Sequence, residues 1–242
     1  ADTDRNGDLP EREATRGKAD EAAREAEHGD DLAARAFEEI GELGERRGEG
    51  RIGAGIGGAG GQCCDRGTEY RPVKPVQPTE SPGKIEVLEF FWYGCPHCNA
   101  LEPSLKDWVR RLPADVAFRK VHVGLGPSWV PHQQMYYALD AMGRTADLNE
   151  KVFHALHVER LPLDKPDKMA DFVAKAGVDR KQFLDTYESF AVRTKMRKAS
   201  QQADAYKVDG VPAMAVNGRW YTAPSMAGGN EQALRVLDFL IE

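Results

Sequence analysis

Apolar positions are unevenly spread along the 242 residues, and their spacing changes character near Gly67. Before it, Leu32, Phe37, Ile40 and Leu43 stand among runs of Ala, Glu, Arg and Asp, too few for a core. Ten glycines between Gly41 and Gly61 add flexible chain. Residues 1–67 are therefore expected to be disordered or loosely helical, because little apolar area offsets the entropy of ordering. Beyond them, Tyr70 to Gln77 alternates like an edge strand, where Pro72 and Pro75 are tolerated. Ile85 to Phe91 is an apolar, partly β-branched and aromatic run bounded by turn signals, which predicts a buried strand. Pro96 suits the first position of a helix reaching about Arg110, since the N–H it lacks would be unpaired there. Pro103 should kink that helix. Val116 to Val123 alternates again and predicts a second central strand.

From Gly124 to about Ser189 the period turns helical, as in Met135/Leu139/Met142 and Leu148/Val152/Leu156. Asp179 and Gln182 make a capping box. A helix over Phe190 to Lys207 follows, and its Arg193, Lys195, Arg197 and Lys198 are expected to form a solvated face. Ala213–Val216, the turn Asn217-Gly218 and Trp220–Thr222 spell a hairpin. Asn230 is placed to cap a last amphipathic helix. Strands joined both by a crossover helix and by a hairpin imply a mixed α/β sheet with a helical insertion.

Charge refines the boundary. Residues 1–67 hold 10 Lys/Arg and 17 Asp/Glu, whereas the remainder holds 23 and 22, so the net −6 belongs to the N-terminal stretch. Neither part has the basic excess of a nucleic-acid binder. No apolar run approaches a membrane span, and residues 1–30 lack the apolar stretch of a secretory signal.

Four cysteines fall in two pairs, Cys63-Cys64 and Cys95/Cys98. Adjacent cysteines in a glycine tract are poorly spaced to complete a zinc site, so no metal is expected, and no catalytic role is expected of that pair. Cys95-Pro96-His97-Cys98 is different, because it joins a strand to a helix. The attacking species in disulfide exchange is a thiolate, and Cys95 at the cap position would face unpaired N–H groups and the positive helix end. His97 can add a donor or a charge in the same turn, which should lower the Cys95 pKa to well below 6. Cys98, one turn in, would point inward as the resolving thiol. Glu89 is a carboxylate inside a buried strand, where an unpaired charge would be costly. Trp92, Tyr93 and Trp129 are candidates to line a peptide groove.

Val87-Leu88-Glu89-Phe90-Phe91, Cys95-Pro96-His97-Cys98, Gly210-Val211-Pro212-Ala213-Met214 and Val216-Asn217-Gly218 together resemble the DsbA family over about residues 69–242. The resemblance implies a thioredoxin-like domain (68–124 and 190–242) interrupted by a helical domain (125–189). It implies a dithiol oxidase working through a redox-active Cys95–Cys98 disulfide, with no other cofactor. It implies a cis Pro212 that exposes the Val211 backbone to substrate, and a Glu89–Lys120 pair that moves protons to Cys98. It further implies a periplasmic protein whose partners are unfolded exported polypeptides and a DsbB-like membrane quinone reductase; a monomer is expected. A reductase or isomerase of the same fold, or a peptide-binding chaperone with inert cysteines, are the alternatives.

Overall fold

A computed structural model describes residues 64–242. The expectations for residues 1–63, Cys63 among them, fall outside the described residues. Residues 64–67 are already part of a defined turn: Thr68 and Glu69 donate to the Asp65 carbonyl, and the Arg66 guanidinium lies 5.3 Å over the Trp220 ring. The described fold thus starts slightly before residue 68.

Five strands form one mixed sheet: β1 (Tyr70–Pro72), β2 (Ile85–Phe91), β3 (Val116–His122), β4 (Ala213–Val216) and β5 (Trp220–Thr222), in the order β1-β5-β4-β2-β3. Only β2 and β3 are parallel, in a register that sets Glu89 opposite Lys120. They are joined by helix α1 (Pro96–Val109), the crossover that a parallel pair requires. Between β3 and β4 lie a 3₁₀ turn (Pro127–Trp129) and helices α2 (Val130–Ala141), α3 (Thr145–His157), α4 (Pro166–Lys175), α5 (Arg180–Tyr187) and α6 (Phe190–Ala205). After β5 come α7 (Pro224–Ala227) and α8 (Asn230–Ile241).

β2 has a core on each face, which is why its apolar run hardly alternates. Leu88, Phe90 and Phe91 join one cluster with Met135 and Leu139 of α2, Val152 of α3, Val173 of α4 and Phe183 of α5. Val87, on the face opposite Leu88 and Phe90, packs with Leu101, Leu105 and Trp108 of α1 and with Leu234 and Leu237 of α8. The hairpin turn has Asn217 and Gly218 both at positive φ, and a Cβ on Gly218 would meet the Gln77 carbonyl oxygen at 1.9 Å.

Three expectations need correction. β3 is an edge strand rather than a central one; Phe118, Arg119 and Lys120 are only half-buried, and side chains of α2 cover its outer side instead of a further strand. Two of its outward carbonyls are taken by α2: Tyr136 Oη donates to Lys120 O, while Gln133 Nε2 and Tyr137 Oη donate to His122 O. β1 stops at Pro72 rather than Gln77, because Pro72 and Pro75 have no N–H for a ladder; Val73 and Gln77 instead donate singly to Arg219 and Gly218. Asn230 does not cap α8. Gly228 and Gly229, both at positive φ, steer the chain so that Gly229 is the cap and Asn230 the first helical residue. Helix α1 continues through Pro103.

Candidate active site

Cys95 is the N-cap of α1, with extended backbone at φ −82° and ψ 118°, and Pro96 occupies the first turn. Its Sγ accepts a hydrogen bond from the Cys98 N–H at 3.4 Å, and in the thiol form it donates to the Val211 carbonyl at 3.4 Å. Cys98, one turn along, is fully buried, while Pro96 and His97 are exposed. The Val211–Pro212 peptide is cis, and Pro212 is buried beside the cysteine pair. His97, Val211, Pro212, Tyr221 and Pro224 line a cleft of about 380 Å³ next to Cys95.

The two thiols are held apart in acidity. A hydrogen bond from the Cys98 thiol is the largest influence lowering Cys95, to about 6; burial opposes it, and the N–H groups of Cys98 and His97 and the charge at His97 assist. This is lower than an ordinary thiol, even though burial of Sγ works against the helix end. Cys98 is pushed far up, first by burial and then by holding its proton toward Cys95, with the Glu89 carboxylate adding to the effect. One thiol therefore ionises near neutrality while its neighbour stays protonated.

Behind Cys98 lies a second set of charges. Glu89 is fully buried and its Oε2 accepts from Lys120 Nζ at 2.6 Å. Glu102 of α1 also pairs with Lys120, and Asn149 of α3 donates to the other Glu102 oxygen at 3.1 Å. Burial raises the Glu89 pKa to about 7; the Lys120 ammonium opposes this and Glu102 reinforces it. Glu89 Oε1 has no hydrogen-bond partner among the described residues. Lys120, Glu102 and Asn149 line a cleft of about 570 Å³, which connects this network to solvent.

The aromatic candidates divide. Trp92 and Trp129 stack, with ring centroids 4.2 Å apart and planes 6° from parallel. Tyr93 cannot line a groove, because its ring is fully buried against Phe91, His122 and Phe153. Sequence reasoning missed Glu102, although it lies four residues after Cys98 and hence on the same helix face. It also missed Asn149 and Tyr221, whose roles depend on long-range packing.

An ionisable thiol at a helix start, with a protonated one directly behind it, is suited to exchange of disulfides, and the fold around it is that of a thioredoxin-like thiol:disulfide oxidoreductase. The DSBA-like thioredoxin domain profile matches residues 86–238. The thiol:disulfide interchange protein DsbA of Pseudomonas aeruginosa is 47% identical over 176 residues, covering 73% of this chain and 83% of that protein. The DsbA of Azotobacter vinelandii is 44% identical over 176 residues, covering 73% and 82%. The crystal structure of Pseudomonas aeruginosa DsbA superposes with a TM-score of 0.71 at 46% identity, covering 74% of this chain and 93% of that one. This chain belongs to the DsbA family.

Proposed function

We propose that this family member is a dithiol oxidase of exported polypeptides, using the Cys95–Cys98 disulfide as its redox group and needing no other cofactor. The observation that carries the proposal is the placement of Cys95 Sγ at the start of α1, 3.4 Å from the Cys98 N–H, with Cys98 fully buried behind it, an arrangement that lowers the pKa of Cys95 and raises that of Cys98. A substrate thiolate attacks Cys95 Sγ, the Cys95–Cys98 bond breaks, and Cys98 takes up a proton. A second substrate thiolate then attacks the substrate sulfur of the mixed disulfide and expels Cys95 as a thiolate. The substrate loses two electrons and the cysteine pair gains them; one proton stays on Cys98 and the other goes to solvent. Because its thiolate is stabilised, Cys95 leaves readily and the reduced enzyme is favoured, which makes the disulfide oxidising.

Glu89, titrating near 7, is suited to give Cys98 its proton and recover one through Lys120, Glu102 and the cleft they line. The Val211 backbone, facing Cys95 from the Pro212 loop, is suited to hold an extended substrate segment, with His97, Tyr221 and Pro224 beside it. The stacked Trp92 and Trp129 extend the apolar surface near the turn that precedes Cys95. The working compartment is assigned to the periplasm and reoxidation to a DsbB-like membrane quinone reductase. No helix among the described residues is long and apolar enough to cross a membrane.

Equilibration with glutathione tests the direction of transfer. The expected potential lies at least about 100 mV above the value of about −270 mV typical of thioredoxin. A potential near thioredoxin's would turn the reading to a reductase. Insulin reduction that survives in Cys95→Ser would remove the exchange reading altogether.

A further inference from the structure

Cys95 is delivered by a tight turn, Trp92 to Cys95, closed by the Cys95 N–H on the Trp92 carbonyl at 3.0 Å. Three other polar groups of this turn end on histidines. The Tyr93 N–H donates to His122 Nε2 at 3.2 Å, and the Tyr93 carbonyl is 2.7 Å from His157 Nε2. The Trp92 indole N–H donates to His132 Nδ1 at 3.1 Å. These histidines come from the end of β3, from α2 and from α3, so one ties the turn to the sheet and two tie it to the helical block.

Gly94 makes the third contact possible. A Cβ there would sit 2.3 Å from the Trp92 ring, so only glycine lets the indole fold back over the turn. The partners also settle the ring protons. A carbonyl only accepts and an N–H only donates, so His157 Nε2 carries a hydrogen while His122 Nε2 and His132 Nδ1 do not. Both acceptor rings are held neutral, chiefly by burial, and His122 is fully buried.

We propose that His122, His132 and His157 are positioning residues for Cys95, holding the turn so that Sγ stays against the first N–H groups of α1 and the Val211 carbonyl. None of the three needs to touch the reacting sulfur. Their effect passes through the turn, whose last residue makes sulfur contacts at 3.4 Å that a small displacement would weaken. The proposal rests on Cys95 being the exchanging thiol.

His157→Phe tests it, because the ring and its stacking on Phe153, at 6.0 Å between centroids, can persist while the donor is lost. Thiolate absorbance against pH should show the Cys95 midpoint rising by about half a unit, a roughly threefold drop in the thiolate-to-thiol ratio. His157→Gln, whose amide nitrogen can stand where Nε2 stood, should restore the midpoint. An unmoved midpoint in the Phe variant, or an equal shift in the Gln variant, overturns the proposal. If His157→Phe does not fold, Trp92→Phe asks the same of the His132 contact: it removes the indole N–H, and an unchanged midpoint again overturns the proposal. A wild-type Cys95 with an ordinary thiol midpoint would overturn the exchange reading and this proposal with it. A low wild-type midpoint with unmoved variants would overturn this proposal alone.

Discussion

Cys95 receives hydrogen bonds from the Cys98 thiol and from the backbone N–H groups of Cys98 and His97, whereas the exposed His97 imidazole adds only a smaller influence through its charge. Replacing the imidazole leaves the backbone donors in place, so His97→Ala should raise the Cys95 midpoint from about 6 by less than one unit, measured by thiolate absorbance. An unchanged midpoint would assign the whole effect to the helix end and Cys98. The lowered pKa also sets a pH dependence. A thiol whose folded value is depressed adds stability that is fully present above its unfolded value, and this stability is lost as pH falls through the folded one. The reduced enzyme should therefore gain thermal stability relative to the oxidised form as pH rises from 6 to about 9, and lose that advantage below 6. Melting curves of both forms across this range check the sign.

At the scale of elements, the β2–β3 pair carries the buried charges. Lys120→Met would leave Glu89 fully buried with Glu102 nearby and no cation between them, at a cost of about 3 kcal/mol near neutral pH. Glu89 has a raised pKa, so a neutral Glu89 favours folding: its contribution is full below about 4.5 and is lost as pH rises through about 7. Without Lys120 the penalty should consequently shrink in acid, and urea unfolding at pH 5 and pH 8 would show it. β2, β4, β5 and the start of α1 were legible in the sequence because local signals agree there: an apolar run, an Asn-Gly turn, and a proline directly after Cys95. The edge position of β3 was not legible, since alternation reports the faces of a strand and not its neighbours. Glu89 stands out in the sequence as a charge in a buried strand and Lys120 enters through the family resemblance, but Glu102 joins them only through the crossover geometry of α1. Tyr93 reads as an exposed aromatic near a catalytic loop, and only the packing of Phe91, His122 and Phe153 shows that it is core.

For the whole molecule, the relevant fact is that one apolar cluster runs from the sheet into the helical block. Phe91 sits at the junction, with ring contacts to Tyr93, His122, Tyr136 and Phe153. Phe91→Ala should cost about 3–5 kcal/mol. Because both parts share that cluster, it should lower the stability of sheet and helices together, and far-ultraviolet circular dichroism and tryptophan fluorescence should still report coincident urea transitions. Separate midpoints would show that the inserted helices unfold as their own unit. The covering of β3 has a bearing on the unfolded polypeptides proposed above as substrates. Unfolded chains carry unpaired strands that seek an open sheet margin, and an exposed margin on the catalyst would make it a seed for aggregation. Here one margin is only three residues long and is ended by a proline, and on the other Gln133, Tyr136 and Tyr137 already occupy the Lys120 and His122 carbonyls. The sheet is thus poorly suited to recruit its own clients by strand pairing, and a chain arriving at the Val211 backbone can be released after exchange instead of being built into the fold.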